Sequence, residues 1–231
     1  MDLVLQALAW LADAGSWTGE GGVLERLGEH LGVTVAVLAI ASGIALPLGV
    51  IIGHTRRGTT LVALVSGAAR AIPTLGLLTL LGLALGIGLG APVIALIVLA
   101  APSLLAGAYA GIQAVDARTV DAARSIGMSE AQIVLKVELP LAAPVILGGI
   151  RSATLQVVAT ATLAAYTSNT GLGRYIFHGL KARDYPELIA GSLLVIVLAL
   201  LLDAGFVFVP RLVSRLRNGR PIHPTNQRGT S

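Results

Sequence analysis

The sequence predicts an all-α polytopic membrane protein with about five transmembrane helices and a polar loop on the cytoplasmic side. Of its 231 residues, 55% are hydrophobic and only 12% are charged, which is about half the charged fraction of a soluble domain. No Asp, Glu, Lys or Arg occurs in the forty-five residues from Ala71 to Val115 or in the twenty-three from Leu31 to Gly53. A helix that spans a bilayer needs roughly 20 such residues, so both runs are long enough to cross a membrane.

Residues 1–30 precede the first predicted span. The opening stretch, MDLVLQALAWLADAG, lacks the basic segment of a signal peptide. Its apolar part, about a dozen residues long, is too short to span a bilayer, and we expect a short helix at the membrane interface. The sequence contains no cysteine, which excludes disulfides and thiolate metal sites.

Five spans are predicted within one membrane domain, 31–210. The predicted spans cover approximately residues 31–53, 60–86, 93–113, 141–165 and 188–209. Pro73 interrupts the second span, where the missing backbone donor predicts a kink. The sequence GIGLGAP at 86–92 predicts a tight turn before the third span. The polar loop, 116–140, separates the third span from the fourth, and a basic tail, 211–231, follows the fifth.

The distribution of Lys and Arg predicts the orientation. One set of connecting segments, which includes the polar loop and the tail, carries ten of these residues, and the opposite set carries four. Because Lys and Arg are enriched on the cytoplasmic side, we expect the first set to be cytoplasmic. The N-terminus is then outside and the C-terminus inside. The net charge of +4 therefore reflects membrane topology and does not indicate nucleic-acid binding.

The polar loop has the pattern of two helices separated by a break. Residues 116–126 are rich in alanine and predict the first helix, and Gly127 can take the left-handed conformation that ends it. Ser129 and Gln132 fit a capping box at the start of the second helix. We expect that helix to end before Pro140, because the residue before a proline disfavours the α conformation.

This loop resembles the signature loop of binding-protein-dependent ABC importer permeases, whose spacing is E-A-A-x3-G-x9-I-x-L-P. Asp121 replaces the glutamate and Val137 replaces the isoleucine. The positions that match the motif are Asp121, Ala122, Ala123, Gly127, Leu139 and Pro140. The resemblance implies the type I permease fold, with this loop as the coupling helix that inserts into a cytoplasmic ATPase subunit. From the pattern of helices alone, an ordinary solvated helical hairpin is the alternative interpretation.

The chain is expected to have no ATPase activity of its own. A P-loop requires Gly-Lys-Ser/Thr, but the only lysines, Lys136 and Lys181, both follow leucine. The resemblance implies that a partner ATPase subunit binds ATP and Mg²⁺, and we expect no cofactor or metal in this chain. It also implies a second permease subunit, identical or related, an extracytoplasmic solute-binding protein, and the plasma membrane of a prokaryote.

Other segments resemble the permeases for glycine betaine, choline, carnitine and proline. They are ARAIPTLGLL (69–78), VELPLAAPVILGGIRSA (137–153), the Gly171–Gly173 turn and LALLLDAGF (198–206). The resemblance therefore implies quaternary-ammonium compatible solutes. Asn169 and Thr170 depart from the Gly-rich run expected in an extracytoplasmic segment where the binding protein docks. An importer permease for amino acids or another small solute is an alternative. A stand-alone secondary transporter is a further alternative, although proteins of that class tend to show inverted repeats or polar residues along their spans.

Arg70, Arg151 and Asp203 are ionisable residues within predicted spans, roughly 10–16 Å from the cytoplasmic ends at about 1.5 Å per residue. Charges at such depths normally form pairs or line a water-filled cavity. In one interpretation Asp203 neutralises an arginine and fixes the fifth span to the second or fourth. In the other, the three residues line the translocation path. Unpaired arginines would repel a cationic solute, which favours the structural role.

Pro73 and Thr74 are candidates for a hinge that faces the path, with a simple packing kink as the alternative. His54, beside two arginines, is expected to be solvated. His178 has no metal-ligand neighbours in the sequence, and no catalytic set of residues is recognisable.

Overall fold

The structure is a computed structural model that describes residues 2–218, without the side chains of Leu61, Val65, Arg70 and residues 209–218. Every regular element in this range is helical. The ten α-helices are α1 (Asp2–Ala12), α2 (Val23–Thr55), α3 (Thr59–Ala71), α4 (Thr74–Leu85), α5 (Gly90–Gln113), α6 (Ala117–Ser125), α7 (Glu130–Ile133), α8 (Leu139–Thr160), α9 (Gly173–Ala182) and α10 (Tyr185–Asn218).

Four helices in the described range are long and apolar enough to cross a membrane. They are α2, α5, the continuous helix Glu130–Tyr166 that includes α7 and α8, and α10 through Phe208. The broken pair α3–α4 makes a fifth if it is counted as one span. The predicted all-α membrane fold is therefore confirmed. Helix α10 continues to Asn218, and the remainder of the predicted basic tail, 219–231, lies outside the described residues.

The core of the bundle is formed by α2, α5 and α8. Val37 and Ala41 of α2 pack with Leu104 of α5 and Val157 of α8 in one buried cluster. Glycines and alanines at the contacts let the backbones approach closely, as is common between helices in membranes.

The second predicted span is broken at Pro73. Helix α3 ends at Ala71, and α4 begins at Thr74 with its axis bent by 85° from that of α3. Ile72 is extended, with φ −72° and ψ 123°, because the residue before a proline disfavours the α conformation. The kink expected from Pro73 is thus a complete break. A turn is present where one was predicted, with positive φ at Gly86 and Gly88, but it is shorter than the predicted 86–92 because α5 already begins at Gly90.

The N-terminal segment forms the expected short helix, α1. Its Trp10 packs edge-on against Tyr175 of α9, with the ring centroids 5.2 Å apart. Trp10 also joins a buried cluster with Val23 of α2, Val158 of α8 and Leu198 of α10. Helix α1 is therefore held against the end of the bundle that lies opposite the polar loop.

Candidate functional site

The polar loop 116–140 forms an elbow at one end of the bundle. Asp116 caps α6 by accepting a hydrogen bond from the backbone N–H of Arg118 at 2.9 Å. Gly127 follows α6 with a φ of 86°, so the predicted left-handed break is confirmed. The predicted capping box is also confirmed: Ser129 Oγ accepts from the Gln132 N–H at 3.3 Å, and Gln132 Oε1 accepts from the Ser129 N–H at 3.0 Å.

The prediction that the second helix ends before Pro140 is wrong. Helix α7 continues through a π-helical segment, Val134–Glu138, directly into α8. At its end the Leu139 N–H bonds to the Val134 carbonyl, five residues back. In an α-helix, the ring of Pro140 would clash with the carbonyl four residues back, and the wider π turn relieves that clash. The elbow is therefore continuous with a helix of the bundle core.

The structure separates the residues of the motif into two groups. Ala123 is 7% exposed and faces inward, and Leu139 packs on the small buried cluster of Ile112, Val115 and Ala142 beneath the elbow. The remaining motif residues, Asp121, Ala122, Gly127 and Pro140, are exposed. Ile126, which the motif does not contain, is 80% exposed beside them. The outer face of α6 therefore combines small side chains with one exposed apolar side chain, that of Ile126.

A network of charged side chains connects α6 to the end of α2. The Arg124 guanidinium binds Asp121 Oδ1 at 3.0 Å and both oxygens of Glu130, at 2.8 and 2.9 Å. The hydrogen bonds that Arg124 donates to Glu130 raise the pKa of Arg124 above its ordinary value. His54 continues the network: its Nε2 lies 3.2 Å from Glu130 Oε2, and its Nδ1 lies 2.7 Å from Glu138 Oε2.

The prediction that His54 is solvated is therefore wrong. Its side chain is 16% exposed, and Glu138 is 4% exposed. A cavity of about 340 Å³ borders this cluster and is also lined by Arg56 and Asp121. The sequence could not place His54 beside Glu138, since 84 residues separate them.

Arg151 and Asp203 form a pair between α8 and α10. Arg151 Nε donates to Asp203 Oδ1 at 2.6 Å, and Arg151 Nη2 donates to Oδ2 at 2.8 Å. Arg70 lies on α3, but its side chain is outside the described part of the structure. The structure thus brings together two of the three predicted intramembrane charges and links the fifth predicted span to the fourth.

Thr74 lines a cleft of about 180 Å³ between the α3–α4 break, α5 and α8. The other polar side chains of the cleft are Ser103 and Gln156, and Ser103 Oγ donates to Gln156 Oε1 at 3.1 Å. Neither residue was predicted from the sequence, although a serine and a glutamine within long apolar helices are unusual. The remaining lining includes Leu99 and Pro102. This cleft offers uncharged hydrogen-bonding groups beside apolar surface.

At the opposite end of the bundle, α2 holds the segment that contains Asn169. Glu29 accepts from the Gly171 N–H at 2.8 Å, and Arg26 bonds both Glu29 and the Asn169 carbonyl. His178 pairs with Glu187 at 2.6 Å. Among the described residues, no group of three or more His, Asp or Glu side chains could hold a metal.

Comparison with known proteins identifies what this arrangement resembles. Residues 45–218 match the family described as "Binding-protein-dependent transport system inner membrane component". The choline transport system permease protein OpuBB of Bacillus subtilis is 34% identical over 188 residues, which is 80% of this chain and 86% of that protein. The glycine betaine/carnitine/choline transport system permease protein OpuCB of the same organism is 31% identical over 85% of this chain and 91% of that protein.

A solved structure shares the fold. An inward-facing structure of the MetNI methionine ABC transporter aligns with a TM-score of 0.72 at 24% identity, and the match covers 82% of this chain and 95% of that one. The likeness establishes the type I importer permease fold, which the sequence motif implied.

Proposed function

Because the chain belongs to the family of binding-protein-dependent transport system inner membrane components, we propose that it forms half of the translocation path of an importer for small quaternary-ammonium solutes. As a permease subunit of an ABC importer, the chain is not itself an enzyme, since the ATPase of such a transporter is a separate subunit. The solutes that we assign to it are glycine betaine, choline and carnitine.

One observation carries the solute assignment. Two relatives at 34% and 31% identity, each aligned over at least 80% of this chain, are permeases for choline and for glycine betaine, carnitine and choline. An osmoprotectant import permease of Salmonella typhimurium, OsmY, is 32% identical over 80% of this chain. The first two names share choline, which carries a permanent positive charge on a compact body, and the third names osmoprotectants as a class.

The elbow is the proposed docking surface for the ATPase subunit. Ala122 is exposed on α6, and its small side chain lets another protein approach the helix backbone closely. Ile126 adds exposed apolar surface that a partner groove would bury. The excess of Lys and Arg in the segments on the elbow side supports a cytoplasmic elbow, with the N-terminus outside and the C-terminus inside.

The continuity of the elbow with α8 supports a direct route for motion. The partner ATPase binds ATP and Mg²⁺ and supplies the free energy of hydrolysis. When two ATPase subunits close, each moves the elbow that it holds. The rod formed by α7, the π-helical segment and α8 carries Gln156, so movement of the elbow reaches the cleft. Two permease subunits, identical or related, then alternate between inward-facing and outward-facing states.

The cleft of Thr74, Ser103 and Gln156 is the proposed solute-contacting part of the path. A quaternary ammonium donates no hydrogen bond and suits the apolar walls formed by Leu99 and Pro102. The carboxylate of glycine betaine or the hydroxyl of choline can bond the serine and glutamine. The break at Pro73 lets α4 move independently of α3 beside this cleft.

The proposed role of Arg151 and Asp203 is structural. Their mutual neutralisation removes the repulsion that a free arginine would exert on a cationic solute, and the pair connects two helices. Arg70 is assigned to the same membrane region on sequence grounds. In this assignment residues 1–30 are extracytoplasmic, residues 31–210 form the membrane domain, and the basic tail 211–231 is cytoplasmic.

Solute binding by the cognate extracytoplasmic protein tests the assignment. Calorimetric titration with glycine betaine, choline, carnitine and methionine should give heat with the quaternary-ammonium compounds and none with methionine. Uptake of the same solutes into proteoliposomes should require the permease, the ATPase subunit and the binding protein together. A binding protein that binds an amino acid and ignores the other three solutes would overturn the solute assignment.

A further inference from the structure

His54 lies where a core helix of the bundle meets the elbow. It is in the last turn of α2, and two glutamates from the α7–α8 rod face its ring. Nδ1 lies 2.7 Å from Glu138, and Nε2 lies 3.2 Å from Glu130. Because Glu138 is only 4% exposed, its carboxylate has little access to water and depends on the histidine for a hydrogen bond.

The two contacts depend on how many protons the ring carries: the contact with Glu138 is a hydrogen bond, and Nε2 lies within ion-pair distance of Glu130. An ionised carboxylate only accepts hydrogen bonds, and a neutral imidazole carries one N–H. Both contacts are hydrogen bonds only when both ring nitrogens carry a proton, which is the imidazolium form. When the ring loses one proton, we expect the remaining N–H to stay with buried Glu138. The longer contact, with the Glu130 side chain that is 55% exposed, is then lost.

Glu130 transmits this change to α6. Its carboxylate also binds Arg124, and Arg124 binds Asp121 of the motif. The charged groups around His54 are thus Glu138 from the π-helical segment, Glu130 from α7, Arg124 and Asp121 from α6, and Arg56 from the end of its own helix. The end of α5 contributes only apolar side chains, Ile112 and Val115, to the adjacent cavity.

We propose that His54 is a positioning residue that, in its protonated form, holds the elbow against α2. Because this contact weakens when the ring loses a proton, ATP hydrolysis and solute transport become less tightly coupled as cytoplasmic pH rises. Histidine is the residue type whose charge commonly changes near neutral pH, unlike lysine, which stays charged, or glutamine, which stays neutral. This inference rests on the proposed function, because it needs an ATPase subunit bound at the elbow.

The test compares His54→Gln and His54→Lys with the wild type in the complete transporter. The permease, the ATPase subunit and the binding protein are reconstituted in proteoliposomes, and solute moved per ATP hydrolysed is measured with the ATPase side at about pH 6 and about pH 8. Lysine keeps its charge at both values and can donate to both glutamates, whereas glutamine is neutral at both. His178→Gln is the matched control, since His178 also pairs with a glutamate but at the opposite end of the bundle.

In the wild type and in His178→Gln, the solute moved per ATP hydrolysed should fall roughly threefold or more from about pH 6 to about pH 8. A change of that size corresponds to the interaction energies measured between contacting residues. His54→Lys should have, at both pH values, the transport-to-ATP ratio that the wild type has at the lower pH. His54→Gln should have, at both pH values, the reduced ratio that the wild type has at the higher pH. If the wild-type ratio is independent of pH, or if His54→Lys declines as the wild type does, the proposal is overturned. The proposal is also overturned if His54→Gln has the same transport-to-ATP ratio as the wild type at both pH values.

Failure of the proposed function would be separately visible. If the wild type shows no ATP-driven uptake at either pH, the importer assignment itself fails, and the inference fails with it. If uptake is intact but the ratios contradict the expected pattern, the inference alone fails. Should His54→Gln assemble poorly, His54→Lys still decides the outcome through its pH profile.

Discussion

Arg151 binds Asp203 at two points, with Nε and Nη2 of the guanidinium 2.6 and 2.8 Å from the two carboxylate oxygens. This pair connects α8, which continues into the elbow, with α10. A two-point arginine–carboxylate contact fixes orientation as well as distance. The pair therefore adds an oriented polar contact to the apolar packing of Val158 against Leu198 between the same two helices.

Asp203→Asn is expected to destabilise the chain, because it leaves the Arg151 charge without its counter-ion. The melting temperature in detergent should fall, and less protein should elute as a single species in size-exclusion chromatography. The double variant Arg151→Gln/Asp203→Asn should recover much of the loss, since it contains no unpaired charge. Normal stability of Asp203→Asn together with lost transport would instead favour a place for the pair in the path.

Replacement of Ala122 by leucine is expected to weaken ATPase binding while leaving the permease folded. Ala122 is exposed on α6, so the larger side chain fits the free chain but overfills a close contact. Overpacking costs about 1–3 kcal/mol, which corresponds to roughly a 5- to 150-fold loss of affinity. Affinity of the ATPase subunit for the detergent-solubilised permease gives the measurement. Ala9→Leu, at an exposed alanine of α1 at the opposite end of the bundle, is the control and should bind normally.

Gly149→Ala is expected to separate α5 from α8. A Cβ atom at Gly149 would lie 2.8 Å from the Gly107 Cα and 3.2 Å from the Ser103 carbonyl oxygen. Since backbone atoms cannot move aside as a side chain does, a loss of about 1–3 kcal/mol or more in stability is expected. Thermal unfolding in detergent measures it.

The neighbouring glycine provides a matched control for that variant. A Cβ atom at Gly148 would meet nothing within 4 Å, and alanine favours the helix over glycine by about 1 kcal/mol. Gly148→Ala should therefore match or exceed the wild type in stability. Equal effects of the two substitutions would contradict the close approach of the two helices.

Ser103→Ala and Gln156→Leu are expected to reduce transport without weakening assembly. Both residues line the cleft beside Thr74, and each loses a hydrogen-bonding group that the solute would use. A neutral hydrogen bond contributes about 0.5–1.5 kcal/mol, so uptake at low solute concentration should fall roughly 2- to 10-fold. ATPase co-purification should not change. Ser192→Ala is the control, because the Ser192 hydroxyl bonds the carbonyl of Leu188 within α10.

Local sequence rules predicted the elbow well because its geometry is determined by neighbours in the chain. The glycine at 127 supplies a positive φ, and Ser129 with Gln132 closes a capping box over three residues. The continuation through Pro140 was not predictable in this way. It depends on a π turn, which the sequence does not distinguish from an α-helical end.

Contacts between distant residues could not be derived from the sequence. His54 and Glu138 meet because α2 and the α7–α8 rod pack side by side, and Ser103 meets Gln156 because glycines at 107 and 149 let α5 and α8 approach closely. Arg151 and Asp203 were predictable in part, since an acid and a base within apolar membrane spans are expected to pair. The choice of Arg151 as the partner depended on packing.

The π-helical segment Val134–Glu138 also determines the direction in which the elbow faces. A π turn accommodates one residue more than an α turn with the same start and end. Successive α-helical residues point about 100° apart around the axis. If the same residues were wound as a plain α-helix, the elbow would rotate by about that angle relative to the core face of α8, whereas deletion of one residue would restore the α-helix and keep the orientation. The docking face and the bundle are therefore aligned by the π turn, which absorbs one surplus residue.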